Sequence, residues 1–159
     1  MQSIDEFIIF LGKYRDELET ALENENEKRR ALISGEPARL EAMLQMQQAE
    51  TMKIQNFEKK RLEMQEALGY RGIRAKQLVE AIPEGVQKRR LSTVLDEITS
   101  LVGNIREQNR QALELANKNL KIIEKAVASA GIDPQHGIYT PDTAKGTAYP
   151  DDSFFAKTV

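Results

Sequence analysis

Residues 83–131 decide the fold, and they read PEGVQKRRLSTVLDEITSLVGNIREQNRQALELANKNLKIIEKAVASAG. After Pro83 the stretch contains no proline, and it ends at Gly131. From Leu91 to Ala130 a stripe recurs every three or four positions, which keeps its members on one face of an α-helix. We therefore predict one helix about 70 Å long, at about 1.5 Å per residue. Other helices must cover its stripe, because a lone helix cannot bury it.

Asn109 is the polar member of this apolar stripe. Three steps of four residues follow one another around it, where a heptad repeat would alternate steps of three and four. The spacing resembles a stutter, which locally unwinds a coiled coil. A second apolar set widens the stripe and comprises Leu95, Val102, Ala112, Leu115 and Ile122. A stripe of this width predicts contact with more than one neighbouring helix.

The composition favours long, exposed helices. Charged residues make up 30% of the 159 residues and aromatic residues only 6%, a mixture that fits helical proteins better than α/β domains. The formal net charge of -2 provides no overall field that would attract nucleic acid or an anionic membrane. No apolar run approaches the ~18 residues of a membrane span, and the N-terminus does not resemble a cleaved secretory signal. We expect a soluble cytoplasmic protein without membrane insertion.

The first long helix is predicted to run from Ser3 to Ser34. Ser3 and Glu6 have the spacing of a capping box, in which each side chain satisfies a free backbone N–H of the other residue. An apolar seam follows along the helix. Between Glu23 and Arg30 the seam fails, because every residue there is charged or carries an amide.

A second long helix is predicted from Pro37 to Leu68, since proline is favoured in the first turn of a helix. A short helix within Ile73–Ile82 then leads into the long helix described above. The predicted fold is all-α: three long antiparallel helices in a coiled-coil-like bundle, with a short connecting helix and a flexible C-terminal tail. Residues 1–131 form the bundle domain, and residues 132–159 form the tail.

The tail differs from the bundle because proline and glycine interrupt it repeatedly. It nevertheless holds four of the nine aromatic residues, which are Tyr139, Tyr149, Phe154 and Phe155. Two interpretations stay open. These residues form a docking motif for a partner, or they pack back on the helices or are an incidental end of the chain.

Helix lengths predict an exposed end of the bundle. The first two helices of about 31 residues span roughly 47 Å each, whereas the last spans about 70 Å. If all three run up, down and up, the last helix projects by on the order of 20 Å from about Leu113 onward. Its apolar stripe continues there, and a bare stripe predicts a partner. The partner is another copy of the chain, the folded-back tail or an amphipathic helix of a client protein.

The sequence contains no recognisable catalytic or metal site. It has no cysteine, and its single histidine, His136, lies in the tail, so the usual zinc sites and thiol–imidazole pairs cannot form. It also has no glycine-rich phosphate loop. We expect no enzyme activity, no cofactor and no metal. Nucleic-acid binding is a weak alternative, because glutamates precede the basic clusters and no aromatic residue lies among them.

Three segments carry a resemblance to a known family. They are SGEPARLEAML at residues 34–44, IREQNRQALELANKNLKIIEKA at residues 105–126 and IYTPDTAKG at residues 138–146. On these segments the chain resembles the FlgN family of flagellar export chaperones over nearly its whole length. Asn109 followed by Leu113 resembles the asparagine-and-leucine stretch late in the family's last helix. Thr140 departs from the glycine that usually follows the family's tyrosine.

The resemblance implies a function. Family members bind the C-terminal segments of the flagellar hook-associated (junction) proteins in the cytosol, prevent their premature assembly and bring them to the cytoplasmic domain of the flagellar type III export gate. It implies that clients bind near the end of the last helix, at Asn109, Leu113, Leu115, Leu120, Ile122, Ile123 and Val127. It assigns docking on the export gate to Tyr139. The alternative is a structural coiled-coil protein that self-associates through the last helix, for example as a homodimer.

Overall fold

The computed structural model describes residues 3–131 of the chain. Four helices occupy that range: α1 (Ile4–Ser34), α2 (Pro37–Ala67), α3 (Ala75–Ala81) and α4 (Val86–Ala130). Helix α1 packs against both α2 and α4, and α3 packs against α4. The predicted all-α bundle of three long helices with a short connecting helix is confirmed. The predicted tail, residues 132–159, lies outside the described residues.

Helices α1 and α4 run parallel. Hydrogen bonds join the pairs Asp5–Gln87, Arg15–Glu97 and Arg29–Gln111, each 82 residues apart. A constant separation along both helices requires the same direction. Helix α2 follows α1 after a tight turn and runs antiparallel to both, as short connections in bundles favour.

The helix ends follow the predicted capping chemistry. The Ser3 N–H donates to Glu6 Oε2 at 3.0 Å, and the Glu6 N–H donates to Ser3 Oγ at 3.1 Å, which completes the capping box. Gly35 ends α1 in the left-handed conformation, with a φ of 66°. Helix α4 begins at Val86, three residues after Pro83, so the predicted start at Pro83 is too early.

The main apolar core lies around the N-terminal half of α1, where α2, α3 and α4 surround it. Phe7, Leu11, Leu91 and Ile98 are completely buried there. Further along α1, the ring of Tyr14 stacks on that of Phe57 from α2, with ring centroids 5.4 Å apart and planes 3° from parallel. Aromatic packing of this kind strengthens burial and fixes the register of the two helices.

A buried arginine organises the end of α2. Arg61 is 1% exposed; its Nε donates to Glu58 Oε2 at 2.9 Å and its Nη1 donates to Gln65 Oε1 at 2.8 Å. The Gln65 amide in turn donates to the carbonyl oxygens of Tyr70 and Ile73, at 2.7 and 3.1 Å. This chain of hydrogen bonds holds the connection between α2 and α3 against the bundle.

One face of the charged segment of α1 stays inside the bundle. The apolar seam does stop between Glu23 and Arg30, but this face of the helix stays buried, because Glu25 and Lys28 are only 2% and 6% exposed. Lys28 Nζ lies 2.8 Å from Glu25 Oε2 and donates to Asn109 Oδ1 at 3.0 Å. The buried face continues there with charged pairs because α4 presents a polar residue, Asn109, at the same level.

Candidate functional site

A second, smaller apolar cluster lies beyond this polar layer, where the turn between α1 and α2 meets α4. Leu32 of α1 is buried there against Ala112 and Ala116 of α4, and Leu40 and Leu115 pack around them. The two alanines let the helices approach closely. The cluster marks the last level at which α1 and α2 bury side chains of α4.

An apolar groove opens beside this cluster. It encloses about 270 Å³ between the end of α1, the start of α2 and one face of α4. Its main apolar lining residues are Leu32, Pro37, Leu40, Ala116, Leu120 and Ile123. The Asn119 amide at its edge donates to the Leu32 carbonyl oxygen at 3.3 Å, which satisfies one of the carbonyls left free at the end of α1.

Ala116 is the last residue of α4 that is buried, and beyond it Asn119, Leu120 and Ile123 still face the ends of α1 and α2 across the groove. We call residues 117–130 the overhang, and they extend about 20 Å at the helical rise. Ile122 and Ile123 are 65% and 48% exposed there, and Leu120 and Val127 are half-buried. Elsewhere in residues 3–131 exposed large apolar side chains occur too, such as Ile9 at 55%. The overhang differs because its apolar residues adjoin a preformed groove, which is the usual character of a binding surface.

The structure divides the predicted client-binding residues into two groups. Leu120, Ile122, Ile123 and Val127 lie on the overhang, and Leu120 and Ile123 also line the groove. Asn109, Leu113 and Leu115 lie at levels that α1 still covers, and all three are half-buried.

The covered part of α4 thus reaches about one turn beyond the predicted limit at Leu113. The reason is the later start of α4, which shifts the whole helix relative to α1. Tyr139 lies outside the described residues, so its role in gate docking stays a prediction.

The groove residues from the first two helices do not appear in the sequence-based site. Leu32 lies at the end of α1, and Pro37 and Leu40 lie at the start of α2, on either side of the turn between the two helices. The segment SGEP at residues 34–37 does predict that turn, but periodicity within one helix cannot show which level of α4 the turn meets. In the sequence, only the equal lengths of α1 and α2 indicate the level of α4 that this turn meets.

The lysines of the overhang lie away from the groove. Lys118, Lys121, Lys125 and Glu124 are exposed, and three lysines with one glutamate give the overhang a net charge of +2. Successive residues of a helix are rotated by about 100°, which places the three lysines on the side opposite Ala116 and Ile123. They generate a positive field around the overhang without forming ion pairs inside the groove.

The solvent face of α4 before the overhang is internally paired. Arg110 bonds to both Glu107 and Glu114, and its hydrogen bond to Glu107, with a further one from Gln111, lowers the pKa of Glu107 to about 2. Glu107, Arg110 and Glu114 are exposed and paired with one another, which leaves this group a net charge of -1. The groove and the overhang therefore remain the clearest candidate surface of α4.

Among residues 3–131 no group of acidic side chains is arranged to hold a metal ion. In the same range, no helix combines the length and apolar character that crossing a bilayer requires.

Together, the fold and this surface define a helical-bundle protein whose last helix exposes an apolar face beside a groove. A family model described as FlgN protein matches residues 1–146. The chain belongs to the FlgN family, the flagellar export chaperones. No curated protein and no solved structure matches the chain.

Proposed function

We propose that this chaperone binds the C-terminal amphipathic segments of flagellar hook–filament junction proteins in the cytoplasm. It keeps those subunits from assembling prematurely and delivers them to the flagellar type III export gate. Membership of the family supports the chaperone class. The exposed apolar overhang beside the groove is the observation that supports the place of binding.

A client helix suits this surface because of its length and chemistry. The overhang extends about 20 Å, enough for about four turns of an amphipathic helix laid beside it. Seating that helix on Leu120, Ile123 and Val127 would continue the packing that α1 gives to the earlier part of α4. Burial of ~600 Å² of apolar surface contributes on the order of 15 kcal/mol before the costs of ordering and association are subtracted.

The proposed chaperone function requires only reversible binding of the client segment. The client segment is expected to be unstructured when free, so that it orders on the chaperone and loses part of the gross binding energy in doing so. Such coupled folding keeps affinity low enough for release at the gate. Docking on the gate's cytoplasmic domain is assigned to Tyr139, which follows the bundle at the position that the family resemblance indicates.

The direct test is a pair of substitutions on the groove face. Leu120→Asp and Ile123→Asp are expected to abolish binding of a junction-protein C-terminal peptide, measured by titration calorimetry, because a carboxylate would be buried against apolar surface. Ile9→Asp is the matched control, since Ile9 is as exposed as Ile123 but lies at the other end of the bundle. Circular dichroism should show unchanged helicity in all three. Retained binding in both overhang variants would refute the assigned surface.

Self-association through the overhang is the second candidate function, and the same exposed stripe favours it. Two copies could cover each other's Ile122 and Ile123 as an isologous pair. Light scattering on the purified chain distinguishes the two. A stable dimer that becomes monomeric on Leu120→Asp, together with failure to bind any junction-protein peptide, would favour a structural coiled-coil protein.

A further inference from the structure

A second side of α4 lies beside the stripe that lines the groove. Its members recur at steps of four, three, four and three residues, which keeps them on one side of the helix. They are Gln111, Leu115, Lys118, Ile122 and Lys125. Ile122 precedes Ile123 of the groove by one position, and successive residues of a helix are rotated by about 100°. This side of α4 is therefore distinct from the groove.

Helix α1 contributes two residues to the same surface. Arg29 Nη1 donates to Gln111 Oε1 at 3.0 Å, on the exposed side of the contact between α1 and α4. Ile33 lies about one turn beyond Arg29, and the constant separation of 82 residues places Ile33 at the level of Leu115. We call this surface the basic face, and its residues are Arg29, Ile33, Leu115, Lys118, Ile122 and Lys125.

The basic face carries the two most exposed large apolar side chains of residues 3–131. Ile33 is 67% exposed and Ile122 is 65% exposed. Cations lie about one turn from each of them along the helix: Arg29 precedes Ile33, and Lys118 and Lys125 precede and follow Ile122. The apolar residues of this face are therefore set singly among positive charges, unlike the continuous apolar stripe beside the groove.

The positive charges of the basic face are available to an external anion. Lys118 and Lys125 are exposed, and Glu114, one turn before Lys118, is bonded to Arg110 instead. Glu124 follows Ile122 by two positions, so it points about 200° away around the helix. The net charge of the whole chain is -2, but salt screens charges beyond about 8 Å. The local positive charge therefore decides which surface this face attracts.

We propose that the basic face docks on an anionic phospholipid bilayer. Arg29, Lys118 and Lys125 contact the headgroup phosphates, and Ile33 and Ile122 enter the boundary between headgroups and acyl chains. No segment crosses the bilayer, as is usual for amphipathic helices that lie in the membrane interface. The groove stays accessible in this orientation because it lies on another side of α4. The docking concerns the chaperone and the lipid alone, so it does not depend on client binding.

A bilayer accounts for both kinds of side chain on the basic face, whereas other anionic partners account for only one. The phosphates of a nucleic acid would attract the lysines but leave Ile33 and Ile122 in water, and no aromatic residue lies on this face to stack on bases. A protein interface favours a continuous apolar centre, but here Lys118 lies at a level between the two isoleucines. A bilayer attracts the cations and also admits single apolar side chains.

Cosedimentation of the full chain with lipid vesicles tests the docking without any client. The vesicles contain phosphatidylcholine and phosphatidylglycerol in equal amounts, and vesicles of phosphatidylcholine alone are the neutral reference. We expect binding to the mixed vesicles only, and we expect it to weaken as salt is added, because salt screens the surface charges.

A pair of lysine variants locates the contact. Lys118→Gln/Lys125→Gln should lower the partition coefficient for the mixed vesicles by about 25-fold, since each cation near an anionic surface contributes about fivefold. Lys59→Gln/Lys60→Gln is the matched control. It removes the same charge from the exposed side of α2, near the end of the bundle that is remote from the overhang, and should change the partition coefficient by less than about twofold.

A pair of apolar variants tests whether the isoleucines enter the bilayer. Ile33→Ser/Ile122→Ser should lower the partition coefficient at least about threefold, because less apolar surface leaves water on docking. Ile9→Ser/Met52→Ser is the control, since these two side chains are 55% and 60% exposed outside the basic face. Circular dichroism should show the same helicity in all of the variants.

Four outcomes would overturn the proposal. They are absence of binding to the mixed vesicles, equal binding to the neutral vesicles, equal losses in the two lysine variants, and unchanged binding of the Ile33→Ser/Ile122→Ser variant. Binding to a short RNA or DNA duplex instead of vesicles, with the same dependence on Lys118 and Lys125, would identify a nucleic acid as the partner. A dimer that Ile33→Ser/Ile122→Ser dissociates, without vesicle binding, would identify a second copy of the chain.

Discussion

Lys28 Nζ donates a hydrogen bond to Asn109 Oδ1 across 3.0 Å, between α1 and α4. Asn109 is also the residue at which the heptad spacing of α4 changes. The change of heptad spacing in α4 and the buried charge of Lys28 in α1 therefore occur at the same contact. A polar residue in the seam between two helices lowers stability, but it fixes the register of one helix against the other.

This contact gives Asn109 a structural role, which can be tested separately from its predicted role in client binding. Asn109→Ala should lower the free energy of unfolding by about 1–2 kcal/mol, because a buried ammonium loses a hydrogen bond. Urea denaturation measures this, with Asn104→Ala on the exposed side of α4 as the control. If stability is unchanged while client binding is lost, Asn109 contacts the client directly and the structural role is wrong.

Arg61 should be among the residues least tolerant of substitution. Arg61→Met removes the partner of Glu58 and of Gln65 in a buried position, and breaking a buried ion pair from one side costs about 3 kcal/mol. The same change at Arg71, whose side chain is 82% exposed, should alter unfolding in urea by less than about 0.5 kcal/mol. Equal effects at the two positions would show that the buried network contributes little.

The contact between α1 and α2 should weaken as pH rises towards neutrality. Glu50 is 7% exposed, and burial together with a hydrogen bond and repulsion from Glu17 raises its pKa to about 7. Asn24 and Lys53 are the other polar neighbours. Between the unfolded pKa of 4.5 and about 7, the folded protein binds the proton that the unfolded chain has released. Stability is therefore lost as pH rises through that interval.

The magnitude is about 1 kcal/mol, because water reaches part of the cluster and screens its charges. Urea denaturation at pH 5 and pH 8 measures the loss. Glu50→Gln should flatten this dependence, whereas Glu41→Gln, on the exposed side of the same helix, should preserve it. A profile that is already flat in the unchanged protein would contradict the raised pKa.

Two glycines should respond to alanine with opposite sign. Gly103 lies inside α4 with nothing within 4 Å of an added Cβ, so Gly103→Ala should stabilise the protein by about 1 kcal/mol. Gly35 has a φ of 66° at the turn between α1 and α2, where Gly35→Ala should cost about 1 kcal/mol. Thermal unfolding of the two variants provides the comparison. A shift of the same sign in both would contradict the assigned backbone conformations.

Local sequence chemistry predicted the helices well because their ends are encoded within a few residues. Ser3 with Glu6, Gly35 with Pro37, and Gly131 each act through neighbours in the chain. The burial of Glu25 and Lys28 could not be predicted in this way, since it depends on Asn109, more than 80 residues away. The groove could not be predicted for the same reason. Leu32 and Leu40 lie near Leu120 only because the turn between α1 and α2 packs beside the last part of α4.

Substitution of Tyr139 should affect gate docking but not client binding. Tyr139→Ala should weaken binding to the purified cytoplasmic domain of the export gate, because the residue assigned to that contact loses its ring. It should not weaken binding of a junction-protein peptide, since Leu120, Ile123 and Val127 are unchanged. Calorimetric titrations with the two partners measure both effects, with Tyr149→Ala as the control. Equal loss of both interactions, or of neither, would show that the two partners do not use separate sites.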